Sequence, residues 1–149
     1  MSVGEVCNRE VVVVEQGGDA GEAARLMREF HVGDLVVVER RGKVNVPIGI
    51  VTDRDLVVEV LAQGLDAKSV GVKDLMVQPL QTAKEEDDLL DTLQRMRSMG
   101  LRRMPVINAD GALEGILTVD DILDILSEEL MDVVAVSVVQ RQKEKRRRP

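Results

Sequence analysis

The chain has 149 residues, 44% hydrophobic and 32% charged, with a formal net charge of −7. That is the length of one ordinary domain or of two small ones sharing a core, with enough apolar content to argue against wholesale disorder. One Phe and no Trp or Tyr leave no platform for base stacking, and one Cys with one His excludes an internal disulfide or a Cys/His zinc site. No apolar run approaches the roughly 20 residues that span a bilayer, and the opening MSVGEVCNRE lacks signal-peptide character. The expected location is therefore the cytoplasm. Five basic residues and one acidic residue in the terminal KEKRRRP leave a body of −11, which makes nucleic acid an unlikely partner. That tail reads as a solvated terminal fray.

In chain order, Val11 to Val14 is a short β-branched strand. Ala20, Ala23, Ala24 and Met27 lie at i, i+3, i+4 and i+7, the apolar face of a helix that Asp19 and Glu22 can cap. Leu35 to Val38 and Val46 to Val51 are strands joined by a turn at Arg41 and Gly42. Thr52 opens a helix carrying Leu56, Val57, Val60 and Leu61, which Gly64 stops. Residues 66–78 link this half to the next. The run Glu85 to Asp88 is the negative first turn of a helix bearing Leu89, Leu90, Leu93 and Met96. A hairpin of Met104–Ile107 and Leu113–Leu117 follows, then a closing helix with Ile122, Ile125 and Leu126.

The second half thus repeats the first. GIVTDRD from Gly49 and GILTVDD from Gly115 share four of seven residues, with Val51 and Leu117 similar. LVVVERRGKVNVPIGIVT from Leu35 matches MPVINADGALEGILT from Met104, and AARLMREFHVGD from Ala23 aligns with TLQRMRSMGLRR from Thr92.

The repeated motif has chemistry of its own. Gly49 permits close backbone approach, Thr52 places a hydroxyl where a helix N-terminus favours an anion, and Asp55 offers a carboxylate to a diol. Ile50 supplies an apolar slot. Slot, diol acceptor and anion end together suit a nucleoside phosphate. Spacing alone leaves an equal alternative, in which Thr52 and Thr118 are N-caps and Asp55 and Asp121 their first-turn partners. No side-chain set forms a catalytic constellation: His31 sits at a helix end, Cys7 reads as a buried or frayed thiol, and Met96, Met99 and Met104 read as core filling.

The order β-α-β-β-α, twice, with G-I-x-T-x-x-D ending both hairpins, resembles the tandem CBS-domain family, named for cystathionine β-synthase, whose unit pair is called a Bateman module. The resemblance runs from about Val11 to Leu130 and includes VKDLMVQPL as the linker and RRMPVI as a second-unit strand. It implies an α/β fold of two units packed about a pseudo-twofold axis: residues 1–69, residues 70–132, and a C-terminal extension over 133–149. It also implies two clefts between the units. In one, Ile50, Thr52, Arg54 and Asp55 face Gln81, Thr82, Arg102, Arg103 and Met104. In the other, Ile116, Thr118, Asp120 and Asp121 face Val12, Val14, Gly33, Asp34 and Leu35. Adenine would take the apolar slot, ribose the Asp, and phosphates the Thr and basic residues.

The implied function is regulatory binding of an adenosine ligand (AMP, ADP or ATP, with NAD or adenosyl-methionine as further options), without catalysis, catalytic cofactor or metal. The alternative is a ligand-independent scaffold for dimerisation or protein interaction. Partners would be a second copy, paired through the closing helices, and an effector protein the sequence does not name. The repeats also differ: Gly33, Asp34 and Val36 stand where the second unit has Arg102, Arg103 and Pro105. Arg54, Arg102 and Arg103 in one cleft, against Asp34 and Asp120 in the other, lead us to expect that a phosphorylated ligand binds first at the Thr52 cleft.

Overall fold

The computed structural model describes residues 1–148 and contains two three-stranded sheets, ordered β1-β2-β3 and β4-β5-β6. After a helical turn α1 (Val3–Val6), the first unit comprises β1 (Val13–Glu15), α2 (Ala20–Phe30), β2 (Asp34–Arg41), β3 (Val44–Thr52) and α3 (Asp53–Leu56), which continues as a π-helix over Val57–Leu61. A linking turn α4 (Val72–Leu75) leads to β4 (Ala83–Lys84), α5 (Leu89–Met99), β5 (Arg103–Ile107), β6 (Leu113–Thr118) and α6 (Val119–Arg147). In each unit the first strand runs parallel to the second, and the second pairs antiparallel with the third. The chain is thus an α/β protein of two β-α-β-β-α units.

Alternation along β2 explains how the units share a core. Leu35 and Val37 point into the helical side of the first unit, with Ala23, Met27 and Val60. Val36 and Val38 point the other way and meet Ile116 of the second unit, backed by Val11, Val13 and Leu113. A strand buried on both faces reads as an unbroken apolar run, as Leu35 to Val38 does. Asp19 caps α2 as expected, accepting a hydrogen bond from Glu22 N at 2.8 Å; the acidic run expected as the first turn of α5 instead precedes that helix, with Asp88 as its N-cap accepting from Leu90 N and Asp91 N at 2.9 and 3.1 Å.

The segments that precede the two units are exchanged. Val3 and Cys7 complete the core of the second unit, beside Met96, Met104 and Leu117. Val72, Leu75 and Met76 complete that of the first. Backbone hydrogen bonds fix both: Val3 N donates to Asp87 O at 2.9 Å, and Val72 N to Gly18 O at 3.0 Å. This exchange gives the motif glycines their role. What comes close to Gly49 is Met76, whose Cβ would lie 2.7 Å from a Cβ placed there, and Gly115 is approached likewise by Cys7 Sγ at 2.7 Å and Asn8 O at 2.9 Å. Because the obstacle at Gly115 includes backbone, Gly115→Ala is expected to destabilise the protein by about 1–3 kcal/mol in urea denaturation. A change within about 0.5 kcal/mol would show that the second unit and the N-terminal segment are loosely joined.

Two expectations change at the ends of elements. The first strand begins at Val13 rather than Val11, because Val11 and Val12 run along the inter-unit surface. The basic tail, expected to fray, is the last turns of α6, which is helical for 29 residues. No helix among the described residues is long and apolar enough to cross a membrane.

Candidate functional site

Each G-I-x-T-x-x-D segment ends its third strand and caps the helix that follows. Thr52 Oγ1 accepts from Asp55 N at 3.2 Å, and Asp55 Oδ2 accepts from Thr52 N at 2.8 Å. In the second unit Thr118 Oγ1 accepts from Asp121 N at 3.1 Å and donates to Asp121 Oδ2 at 2.7 Å. The Asp55 carboxylate thus closes a capping box, whereas the Asp121 carboxylate holds the hydroxyl of the capping threonine. Each still presents its remaining lone pairs to a cleft between the units.

The first cleft, about 280 Å³, is lined by Ile50, Thr52 and Asp55 on one side and by Gln81, Arg102 and Arg103 on the other. Val77, Pro79, Leu80, Gly100 and Leu101 close it. The second, about 290 Å³, is lined by Ile116, Thr118, Asp120 and Asp121 facing Val12, Gly33 and Asp34, with Asn8, Glu10, Val11 and Val32. Size does not separate the two clefts; their walls do. The first has Val77, Pro79 and Leu80 where the second has Asn8, Glu10 and Val11, and the second gathers Glu10, Asp34, Asp120 and Asp121.

Five of the residues expected at the clefts lie elsewhere. Val14, Leu35 and Met104 are 2%, 0% and 0% exposed, with side chains in the helical-side cores. For Leu35 and Met104 strand alternation is the reason, because their neighbours Asp34 and Arg103 take the cleft side of the same strands; Val14 lies in β1, beyond the cleft residue Val12. Thr82 lies outside the lining, where its carbonyl accepts from Arg95 Nη2 at 2.8 Å. Arg54 is exposed and also outside it. Sequence reasoning missed Val77, Pro79 and Leu80, although three apolar or proline residues in a link between units were a usable signal.

The strand edges differ as well. Ile116 N donates to Asn8 O, and Asn8 N to Ile116 O, both at 2.9 Å, which seals the edge of β6. Among the described residues no such bridge joins Ile50 to the linker. The backbone N–H and C=O of Ile50 are left facing the first cleft.

The charges expected to separate the clefts are partly paired across them. Arg103 Nε lies 3.0 Å from Asp34 Oδ2, and both side chains retain about a quarter of their exposure (28% and 26%). The contact is an ion pair without hydrogen-bond alignment, since Arg103 Nε has no hydrogen-bonding partner. Arg102 Nη2 lies 4.0 Å from Asp120 Oδ1, largely in solvent, where such a pair is worth little. With Arg54 outside, the Thr52 cleft holds two cations rather than three, and both face carboxylates of the other cleft. Burial pushes the Asp34 carboxyl above the usual carboxylate range; Arg103 opposes this, while Asp53 and Asp121 add to it.

Neither the lone cysteine nor a metal cluster competes as a site among the described residues. Burial raises the pKa of the Cys7 thiol, which therefore stays protonated and unreactive near neutrality. Among the described residues no group of three or more His, Cys, Asp or Glu could hold a metal ion.

The CBS-domain family model matches residues 3–62 and 72–128. An uncharacterised protein of Methanopyrus kandleri is 38% identical over 125 residues, which are 84% of this chain and 62% of that protein, so the chain spans under two thirds of this relative. The CBS domain-containing protein YhcV of Bacillus subtilis is 31% identical over 121 residues, covering 81% of this chain and 82% of its own. Among solved structures, the cytosolic domain of the Mg2+ channel MgtE in complex with ATP superposes with a TM-score of 0.70 at 26% identity, over 83% of this chain and 48% of that one. The CBS domain pair of protein MJ0100, in complex with 5-methylthioadenosine and S-adenosyl-L-methionine, superposes with a TM-score of 0.74 at 20% identity, over 87% of this chain and 98% of that one. With the family model matched over both units and YhcV similar along most of its length, the chain is a member of the CBS-domain family, a tandem pair of the Bateman type.

Proposed function

We propose that the protein is a regulatory module that binds an adenosine nucleotide in the Thr52 cleft and passes the occupancy of that cleft to a partner protein. The observation that carries this reading is the open backbone edge at Ile50. Its free N–H and C=O offer a donor and an acceptor beside an apolar wall of Val77, Pro79 and Leu80, a pairing that suits the edge and face of a purine. Asp55 lies where a ribose diol would reach it, and Arg102 and Arg103 flank the Thr52 helix start, where phosphates would sit. ATP in MgtE, and methylthioadenosine with adenosyl-methionine in MJ0100, support an adenosine ligand as the class.

The Thr118 cleft is the weaker phosphate site. Its strand edge is sealed by Asn8 and its walls carry four carboxylates. Repulsion and the missing backbone groups act in the same direction there, so the first equivalent of nucleotide goes to the Thr52 cleft even though Arg103 already has a carboxylate beside it. In this reading the module regulates and does not catalyse, and a homodimer forms through the exposed apolar faces of the closing helices, where Val57, Leu61 and Leu123 are 54%, 74% and 56% exposed.

Titration calorimetry with ATP, AMP, adenosine and adenosyl-methionine tests the proposal. The expected result is a first site that prefers phosphorylated ligands and is lost in Arg102→Ala/Arg103→Ala but retained in Thr118→Ala. Absence of any heat and of any thermal shift with all four ligands sinks the nucleotide reading. Loss in Thr118→Ala alone reverses the assignment of the clefts.

A further inference from the structure

The last part of α6 is not explained by the nucleotide clefts. The family match ends at residue 128, yet the helix continues to Arg147, about five more turns. From Leu126 to Arg148 every residue is exposed. Within this stretch, LMDVVAVSVV (residues 130–139) is interrupted only by Asp132 and Ser137, and Leu130, Val133 and Val136 are 63%, 66% and 69% exposed. An apolar stretch of this size is ordinarily covered, and nothing in the protein's own body lies over it. Valine is also a poor helix former, and this stretch holds five valines. Helical order here calls for a partner.

Charge identifies the partner. Residues 119–132 carry six acidic side chains and no basic one, residues 133–140 carry no charge, and residues 141–148 carry six basic side chains and one acidic. The segment is complementary to itself when reversed. We propose that it pairs antiparallel with α6 of a second copy, about an axis near Val134 and Ala135. The two apolar stretches then cover each other. Glu128 falls opposite Arg141 of the second copy, and Asp124 opposite its Lys145. A parallel pair would instead set six carboxylates against six carboxylates, which costs free energy along the whole acidic half. An anionic lipid surface would attract the basic end but repel the acidic end of the same helix, which carries the larger net charge.

Disulfide trapping in the full chain reads this arrangement apart from any pairing of the closing helices. In a Cys7→Ala background, Glu128→Cys and Arg141→Cys chains are prepared separately, mixed and mildly oxidised. The expected product is the mixed 128–141 disulfide, with neither variant cross-linking to itself, and the product is lost when Val134→Glu/Val138→Glu is added to both chains. Self-cross-linking of each variant alone shows a parallel pair and overturns the proposal, as does the absence of any cross-link. Co-sedimentation of the uncross-linked Cys7→Ala chain with phosphatidylserine vesicles, as a monomer, also overturns it and assigns the segment to lipid.

Discussion

Replacing Arg103 with alanine is expected to destabilise the protein by about 1–2 kcal/mol near neutral pH, and by much less in mild acid. The first figure is set below the several kcal/mol of a fully buried pair because both side chains keep about a quarter of their exposure and the contact is poorly aligned. The pH dependence follows from Asp34. Burial and the neighbouring Asp53 and Asp121 raise its folded-state pKa, and Arg103 is what holds it down. Without Arg103 the folded-state pKa rises further. A carboxyl with a raised folded pKa stabilises fully below its unfolded pKa, and that contribution disappears as pH rises through the folded value. The variant's deficit should therefore be complete at about pH 8 and shrink toward about pH 4.5, as Asp34 becomes protonated in the folded state. Asp34→Asn should restore most of the loss in the Arg103→Ala background. Urea denaturation of parent, single and double variants at the two pH values checks this. A deficit independent of pH and untouched by Asp34→Asn would mean that Arg103 contributes through packing alone.

The second large effect is expected at Asp55. Asp55→Ala should weaken nucleotide binding at the Thr52 cleft by roughly tenfold to a hundredfold, the equivalent of one charge-assisted hydrogen bond at about 1.5–3 kcal/mol. The substitution is not silent for folding. Asp55 closes a reciprocal capping box with Thr52, so about 1 kcal/mol of stability should go with it. Asp121→Ala provides the control: it removes one carboxylate hydrogen bond, accepted from the Thr118 hydroxyl at 2.7 Å, and leaves the cap from Asp121 N to Thr118 Oγ1 in place. The two variants should lose similar stability, while only Asp55→Ala loses affinity for the first equivalent of ATP. Equal affinity loss in both, measured by calorimetry with denaturation in parallel, would mean that helix capping rather than ribose contact sets the binding.

The duplication, the strand and helix order and both Thr-x-x-Asp caps were legible from the sequence because they depend on local patterns. A helical face repeats within a turn, and a cap bonds across three residues, as Asp19 to Glu22 and Thr52 to Asp55 do. The length of α6 was less legible. The expectation of a frayed tail weighed the terminal charge and overlooked that Val133 to Val139 has no helix breaker to stop it.

Tertiary structure decided which residues meet. The family resemblance implies cleft positions for Val14, Leu35 and Met104, yet their side chains fill cores, and apolar runs such as Leu35 to Val38 carry no polar mark to show which parity faces the helices. Only the exchange of preceding segments brings Met76 to Gly49 and Cys7 to Gly115, and only that exchange lays Val77, Pro79 and Leu80 along one cleft and Asn8 and Glu10 along the other. Arg103 and Asp34 belong to different units and meet where the two sheets pack. Local patterning alone specifies two capped, repeated units and the residue types at their junction. Which charge neutralises which, and which strand edge stays open, was settled by long-range packing, because the free energy of those contacts depends on distances that no local pattern encodes.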